Sequence, residues 1–415
     1  MDSTTTQSPP NSGASEAAVQ ASAGSNVAAT AGLPKRLGMC AFYRPDQFAS
    51  GAYSFSENLM RGFAALKGVA GQHPNFELTI FHGANGLRWT DDRLNYRLIP
   101  DSRGRFPAET RVGLVDSAGF DAILHPNSFT PPIVRSRRVA TVIHDLQYLL
   151  LPEYWPLAKR VWMRANHAIT MRRCDAVVAI SETVKNDILT HYGHRWEARV
   201  HAIWNPLSLD RLTQPGEQTF TNGRPYILCA AVDRPPKNLS TLIRAFALLR
   251  EKFPDHCLVL AGQLRTDDRT WRRRAGGVET KAPGAMDLVN ELNLTKDVVI
   301  TGFVPDQQLG ALYRGAALFA LPSLFEGFGM PAVESLALGT PTLVSDLPVL
   351  REVTLNSAHY IANPLNAPQM ADEIAQVLSM GDAARPSAEF CSDLRRRVAP
   401  ETIATQYLKL LVGEA

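Results

Sequence analysis

The sequence predicts an α/β protein of two doubly wound domains facing a central cleft. Three observations lead there: strand-sized runs of almost continuous apolar residues, helical stretches between them, and a proline-marked break near the middle. Continuous rather than alternating apolarity marks strands buried on both faces of a parallel sheet. In the first half such runs fall at Leu37–Tyr43, Phe76–Phe81, Asp121–Leu124, Val139–Ile143, Ala176–Ile180 and Val200–Ile203. Helical segments at Ser54–Leu66 and Glu182–His191 separate them, and alternation of this kind builds a parallel sheet with crossover helices. Pro206–Pro225 carries three prolines among Thr, Asn, Gln and Gly and reads as a linker. A second series follows at Tyr226–Val232, Leu258–Ala261, Val298–Thr301, Leu318–Leu321 and Thr342–Val344. The helix expected over Leu239–Lys252 places Leu239, Leu242, Ile243, Phe246 and Leu249 on one face, and Asn238 or Ser240 can cap it.

Composition narrows the class. Of 415 residues, 45% are hydrophobic and 20% charged, which excludes disorder along the whole chain. The net charge of +3 gives no case for a nucleic-acid binder, and no apolar run reaches the roughly 18–20 residues that span a bilayer. The five cysteines are scattered without metal-ligand spacing and read as buried thiols in a reducing cytoplasm. Of the first 34 residues, 24 are Ala, Ser, Thr, Gly or Pro, with no aromatic residue, Lys or Arg. Such a segment cannot offset its ordering entropy and lacks the basic start and apolar core of a signal peptide. The division expected is a disordered tail over 1–34, domains over 35–206 and 207–395, and a C-terminal segment over 396–415.

The richest segment is Leu318–Gly339, read as strand, glycine loop and helix. Pro331 suits the first helical turn, and Gly339, followed by Pro341, suits the end. Gly327 and Gly329 permit close approach of the backbone to a ligand. The free N–H groups of Gly329 and Met330 at a helix N-terminus favour an anion. Glu326 in the loop and Glu334 in the first helical turn can point into one crevice, where carboxylates suit paired hydroxyls of a sugar and a ribose. A solvated Glu beside a capping Glu is the plainer alternative.

This segment, Pro322-Ser323-Leu324-Phe325-Glu326-Gly327-Phe328-Gly329-Met330-Pro331-Ala332-Val333-Glu334, resembles the signature of the retaining family 4 glycosyltransferases, whose fold is GT-B, two Rossmann-like domains around a cleft. Thr301–Asp306, Leu309–Arg314, Gly339–Pro341 and Glu352-Val353 are similar to the family's flanking segments. Ala231–Asn238 resembles its phosphate-clamping segment: Lys237 and Asn238 match, but Pro236 stands where many relatives have Arg, and Arg234 is displaced by two positions. Thr141–Leu146 resembles the segment whose His144 lies close to the reacting sugar, and Ser50–Tyr53 its first glycine loop.

The resemblance implies catalytic roles for His144, Lys237 and Glu326. It implies donor contacts from Gly51, Arg234, Lys237, Phe303, Val304, Glu326, Phe328, Gly329, Met330 and Glu334. It implies an acceptor-side first domain and a final helix, about Pro400–Leu411, that crosses back onto it. The donor is a nucleotide sugar, with GDP-mannose preferred over UDP- or dTDP-sugars from the likeness to bacterial polysaccharide mannosyltransferases. The acceptor is a glycan or polyprenyl-linked glycan; no metal, cofactor or nucleic acid is expected. The location expected is cytoplasmic, with peripheral contact at the inner face of an anionic membrane, because Trp155–Arg173 is basic and aromatic. A solvated helix face is the alternative for that stretch, and Trp271–Arg274 is equally ambiguous. Two rivals remain. Gly327-x-Gly329-x-x-Ala332 with Asp346 formally fits a dinucleotide fingerprint, and a non-catalytic glycan-binding protein would share the fold.

Overall fold

The computed structural model describes residues 33–43, 51–68, 73–100, 104–217, 219–264, 272–275, 278–281 and 284–414. The tail expected over 1–34 lies outside them except for Leu33 and Pro34, as do Ser50 and the side chains of 265–283.

The first half contains β1 (Lys35–Ala41), α1 (Gly51–Lys67), β2 (Phe76–His82), β3 (Asn95–Leu98), α2 (Arg105–Arg111), β4 (Ala122–His125), β5 (Arg138–Ile143), α3 (Gln147–Leu150), α4 (Leu157–Arg173), β6 (Ala176–Ala179), α5 (Glu182–Tyr192) and β7 (Val200–Ala202). Its seven strands form one parallel sheet in the order β3-β2-β1-β4-β5-β6-β7. The predicted runs become the buried strands, since Ala122–His125 and Ala176–Ala179 are buried at every residue. The short edge strand β3 was not predicted: Asn95-Tyr-Arg-Leu98 is largely exposed and lacks an apolar run.

The second half begins with α6 (Asp210–Thr213) and continues through β8 (Tyr226–Ala230), α7 (Leu239–Leu249), β9 (Cys257–Ala261), β10 (Arg272–Ala275), β11 (Val278–Lys281), α8 (Ala285–Glu291), β12 (Val298–Gly302), α9 (Asp306–Gly315), β13 (Leu318–Leu321), α10 (Met330–Ala337), β14 (Thr342–Ser345), α11 (Pro348–Val353), β15 (His359–Ile361), α12 (Ala367–Met380), α13 (Ala388–Val398) and α14 (Pro400–Val412). Six of these strands form a second parallel sheet, β12-β9-β8-β13-β14-β15, and β10 pairs with β11 as a separate antiparallel hairpin. Both large sheets are doubly wound. The strand order reverses between β1 and β4 in one and between β8 and β13 in the other, and ligands bind beyond the strand C-termini at such switch points.

Two expectations need correction. The Pro206–Pro225 stretch is not a free linker: it folds α6 and buries Leu207, Leu209 and Leu212. The helix begun at Leu239 stops at Leu249 rather than Lys252, and Pro254 has no N–H to give the Arg250 carbonyl in a longer helix. The chain ends by packing α14 on α1, where the Tyr407 ring meets Phe55 edge-on at 6.1 Å.

Candidate active site

The loops leaving β8 and β13 lie side by side at the second switch point. After β8 the chain makes a tight 3₁₀ turn, Pro235–Lys237, and Asn238 takes a left-handed conformation (φ 55°) before α7 starts. Asn238 does not cap α7 by accepting a backbone N–H. Its carboxamide donates to the carbonyls of Pro322 (3.1 Å) and Pro364 (2.5 Å), and Thr241 donates to its Oδ1 (2.6 Å). The Leu324 N–H donates to the Pro236 carbonyl at 2.7 Å, pinning one loop to the other. Lys237 is thereby held against Glu326: Nζ donates to Oε1 at 2.6 Å, and the buried Ser323 hydroxyl donates to the same oxygen at 2.7 Å. The carboxylate is 9% exposed and the ammonium 26%, so the pair is screened much less than a surface pair.

Both loop glycines are required, for different reasons. Gly329 has φ 91°, and a Cβ there would also meet Leu350 at 2.5 Å. A Cβ on Gly327 would fall 2.4 Å from the backbone carbonyl of His144, so the close approach this glycine permits is to the other half of the molecule. From Gly329 the chain enters α10 with Pro331 in its first turn. No hydrogen bond occupies the N–H groups of Gly329 and Met330 among the described residues, which leaves a helix N-terminus open to an anion. The Phe328 ring is buried and meets Trp204 at 5.9 Å, so only its backbone can serve a ligand. Met330 faces the start of α1, its Cε 2.9 Å from where a Cβ on Gly51 would stand.

His144 follows β5 on the opposite wall. Its Nε2 lies 2.7 Å from the Pro126 carbonyl, which can only accept, so Nε2 carries the proton and Nδ1 keeps its lone pair. Burial pushes its pKa down to about 4, so near neutrality the ring is an uncharged hydrogen-bond acceptor. Asp145 accepts the Gln147 N–H at 3.0 Å and so orients the turn into α3. Burial raises its pKa; Glu326 raises it further and Lys237 opposes, which places this carboxyl within electrostatic reach of the pair.

Motif order, both loop glycines and the Lys237–Glu326 pair thus meet at one cleft, and sequence comparison gives them a family. The model named Glycosyltransferase Family 4 matches residues 75–211, and the one named Glycosyl transferases group 1 matches residues 210–394. The chain belongs to the family 4 glycosyltransferases. Its fold is GT-B. The O-antigen chain mannosyltransferase RfbU of Salmonella typhimurium is 27% identical over 61% of this chain and 64% of its own length. The O-antigen chain mannosyltransferase B of Escherichia coli is 27% identical over 62% and 65%. Each match therefore spans less than two thirds of the relative. Among solved structures, sucrose-phosphate synthase from Thermosynechococcus elongatus superposes with TM-score 0.65 at 18% identity, covering 91% of this chain and 98% of that one. Anabaena HepE, crystallised with UDP and glucose, gives TM-score 0.66 at 15% identity, covering 90% and 98%.

Within this glycosyltransferase, Glu334 stands apart from the Lys237–Glu326 pair. It is the fifth residue of α10, not in the first turn, and it is buried. Its Oε2 accepts the Tyr313 hydroxyl at 3.0 Å and its Oε1 lies 3.4 Å from the Arg211 guanidinium, which also holds Asp306 at 3.2 Å. Burial raises the pKa of Glu334 while Arg211 pulls it down. Val304 is buried beyond β12, whereas Phe303 is 69% exposed and Arg234 is also exposed, its backbone carbonyl accepting the Lys237 N–H at 2.8 Å while no hydrogen bond or ion pair engages its guanidinium among the described residues.

The bonds that several residues of this region make were not legible in the sequence. Arg211 sat in the presumed linker. Ser181 accepts the Val184 N–H at 3.1 Å as the N-cap of α5, and it also donates to the Gly327 carbonyl at 3.1 Å. Glu352 accepts the N–H groups of Glu182 (2.8 Å) and Thr183 (3.0 Å), the Thr183 hydroxyl (3.0 Å) and the Trp204 indole N–H (3.0 Å), clamping α11 to the start of α5. His167 is a core residue bonded to the Tyr148 hydroxyl at 2.9 Å. Among the described residues, Cys40, Glu109 and His125 lie close enough to share an ion. They belong instead to a buried network. Glu109 bonds Arg105 at 2.6 Å and the His125 Nδ1 at 2.8 Å, and although burial raises its pKa, these two partners outweigh it.

Proposed function

We propose that this chain is a retaining glycosyltransferase that moves mannose from GDP-mannose to a glycan or polyprenyl-linked glycan in polysaccharide assembly. The observation that carries the reading is the Lys237–Glu326 pair, set beside the open N-terminus of α10 and across from neutral His144. A diphosphate leaving group gathers negative charge as the glycosidic bond breaks. Lys237 and the α10 N–H groups would meet that charge, with Arg234 free to join them, so no metal is required. Glu326, Lys237 and His144 are the residues that touch the reacting sugar and phosphate in this reading. The uncharged Nδ1 of His144 can accept a bond from a sugar hydroxyl.

Glu334 would hold the ribose hydroxyls, which requires Arg211 to share or release it. Gly51, Phe328, Gly329 and Met330 would line the sugar and diphosphate, and Phe303 and Val304 the base. Transfer would occur on one face of the sugar, the leaving phosphate assisting the incoming hydroxyl, while the cleft excludes water. The preference for mannose is supported by the likeness to the O-antigen chain mannosyltransferases. A UDP-sugar is the second reading, favoured by the UDP and glucose found in the similar Anabaena structure. A polyprenyl-linked acceptor implies work at the cytoplasmic face of a membrane.

A thermal-shift screen against GDP-mannose, UDP-glucose, a dTDP-sugar and NAD decides among these, because a ligand bound only to the native state raises its melting temperature. The largest rise should come with GDP-mannose, and transfer should then give an α-linked product. A rise with UDP-glucose alone moves the donor assignment. A rise with NAD alone, or donor binding without transfer to any glycan, overturns the reading.

A further inference from the structure

Helix α4 has its polarity reversed. Its buried residues are Asn166, His167, Thr170 and Met171, three of the four polar. Its exposed residues include Leu157, Val161, Trp162 and Ile169, at 69%, 60%, 44% and 41% exposure. At 100° per residue these four fall on the face opposite the buried ones, with Ala158 and Ala165 among them. A surface helix of a globular domain normally turns such residues inward.

The apolar face continues beyond α4. The Phe106 ring lies 5.0 Å from Trp162 and 4.8 Å from Phe129. From α2 the chain passes into a π-helical turn, Val112–Asp116, that exposes Leu114 and Val115. Exposed Ile133 backs onto Gly113 and shares a shallow cavity with Arg173 at the end of α4. Contiguous exposed patches of this kind mark interaction surfaces rather than ordinary surface scatter.

Charge identifies the partner. Helix α4 carries Lys159, Arg160, Arg164, Arg172 and Arg173 and no acidic residue. The acids of the adjoining segment, Glu109 and Asp116, are buried and paired with Arg105, Arg97 and Arg111. No helix among the described residues is long and apolar enough to cross a membrane. A second copy of the chain, docked face to face by two-fold symmetry, would set Arg164, Arg172 and Arg173, which flank or lie on the apolar face, against their own copies.

We propose that this face, formed by α4, α2 and the π-helical turn, rests in the interface of an anionic lipid bilayer. Leu157, Val161, Trp162 and Ile169 enter the headgroup–acyl boundary, and the arginines snorkel to lipid phosphates. The surface lies outside the catalytic loops, so the claim stands or falls separately from the reaction proposed above.

The test is co-sedimentation of the full chain with vesicles of phosphatidylcholine, alone or mixed with phosphatidylglycerol, at low and high salt. The wild type should bind the mixed vesicles at least about tenfold more tightly than the neutral ones, and less so in salt. Val161→Glu with Ile169→Glu should weaken that binding at least about tenfold, as should Val161→Ser with Ile169→Ser if the acidic pair folds poorly. Arg164→Gln with Arg172→Gln and Arg173→Gln should abolish the preference for anionic lipid. Transfer to a water-soluble acceptor should survive in all of these variants. The proposal is overturned by absence of wild-type binding at low salt, by unchanged binding of the apolar-face variants, or by self-association in sedimentation velocity that those variants abolish.

Discussion

The two walls of the cleft are built differently. On the C-terminal wall, functional groups come from two short stretches, Arg234–Asn238 and Ser323–Glu334, locked together by Asn238, Ser323 and the Leu324–Pro236 backbone bond. On the N-terminal wall, His144 is held by Pro126 of a different strand connection, and Ser181 and residues 182–183 reach the cleft from another again. In the function proposed above, one wall is a preassembled anion and sugar site. The other is a scaffold whose position relative to the first depends on Gly327, Ser181 and Glu352. Chemistry should therefore fail when the first wall is altered, and alignment when the second is.

The sharpest way to break this contrast is Lys237→Ala, which removes the only cation bonded to Glu326 among the described residues. Turnover at saturating donor should fall at least about tenfold and toward a hundredfold, the scale of losing one preorganised transition-state contact. Near-normal turnover would remove Lys237 from the mechanism. Gly327→Val should come next. Its side chain must displace the His144 carbonyl, so transfer should drop about tenfold while donor still binds, an alignment defect measured by separating titration from turnover. Glu352→Ala should cost a few-fold in turnover and lower the melting temperature, because it unpairs three donors at the start of α5 and the Trp204 indole N–H.

The smallest effect is in pH. His144 and His167 titrate at about 4 in the folded chain and near 6.5 unfolded. As pH falls from about 6.5 toward 4, the unfolded chain takes up protons that the folded chain refuses, so stability declines through that window and is flat above it. His167→Gln should shallow the decline. A melting temperature constant from pH 7 to 4 would contradict these buried neutral rings.

The same contrast explains what could be read from sequence. The buried parallel strands were legible because burial on both faces leaves continuous apolar runs, whereas β3 and β15 are short, partly exposed edges with polar residues. The C-terminal wall was legible because its chemistry is contiguous: Lys237, Glu326 and Gly329 sit in dense local patterns. The N-terminal wall was legible only in short motifs, at His144 and around Gly51. Ser181 and Glu352 make their cross-cleft bonds over separations of 146 to 170 residues, which no local pattern encodes. Arg211 was hidden because a proline-marked stretch looked like a linker, although the spacing of Leu207, Leu209 and Leu212 held the signal of a buried turn. The outward apolar face of α4 was visible as composition but not as orientation, since its polar inward residues had to be seen in place.

The central claim is that the Lys237–Glu326 pair and the start of α10 form the diphosphate end of a nucleotide-sugar site. Calorimetric titration of GDP-mannose into the wild type and Lys237→Ala tests it most directly. The account predicts saturable binding by the wild type and affinity weakened at least about tenfold in the variant, about 1.4 kcal/mol, both measured at a temperature where each unliganded protein is folded. Equal affinity in the two proteins would contradict it.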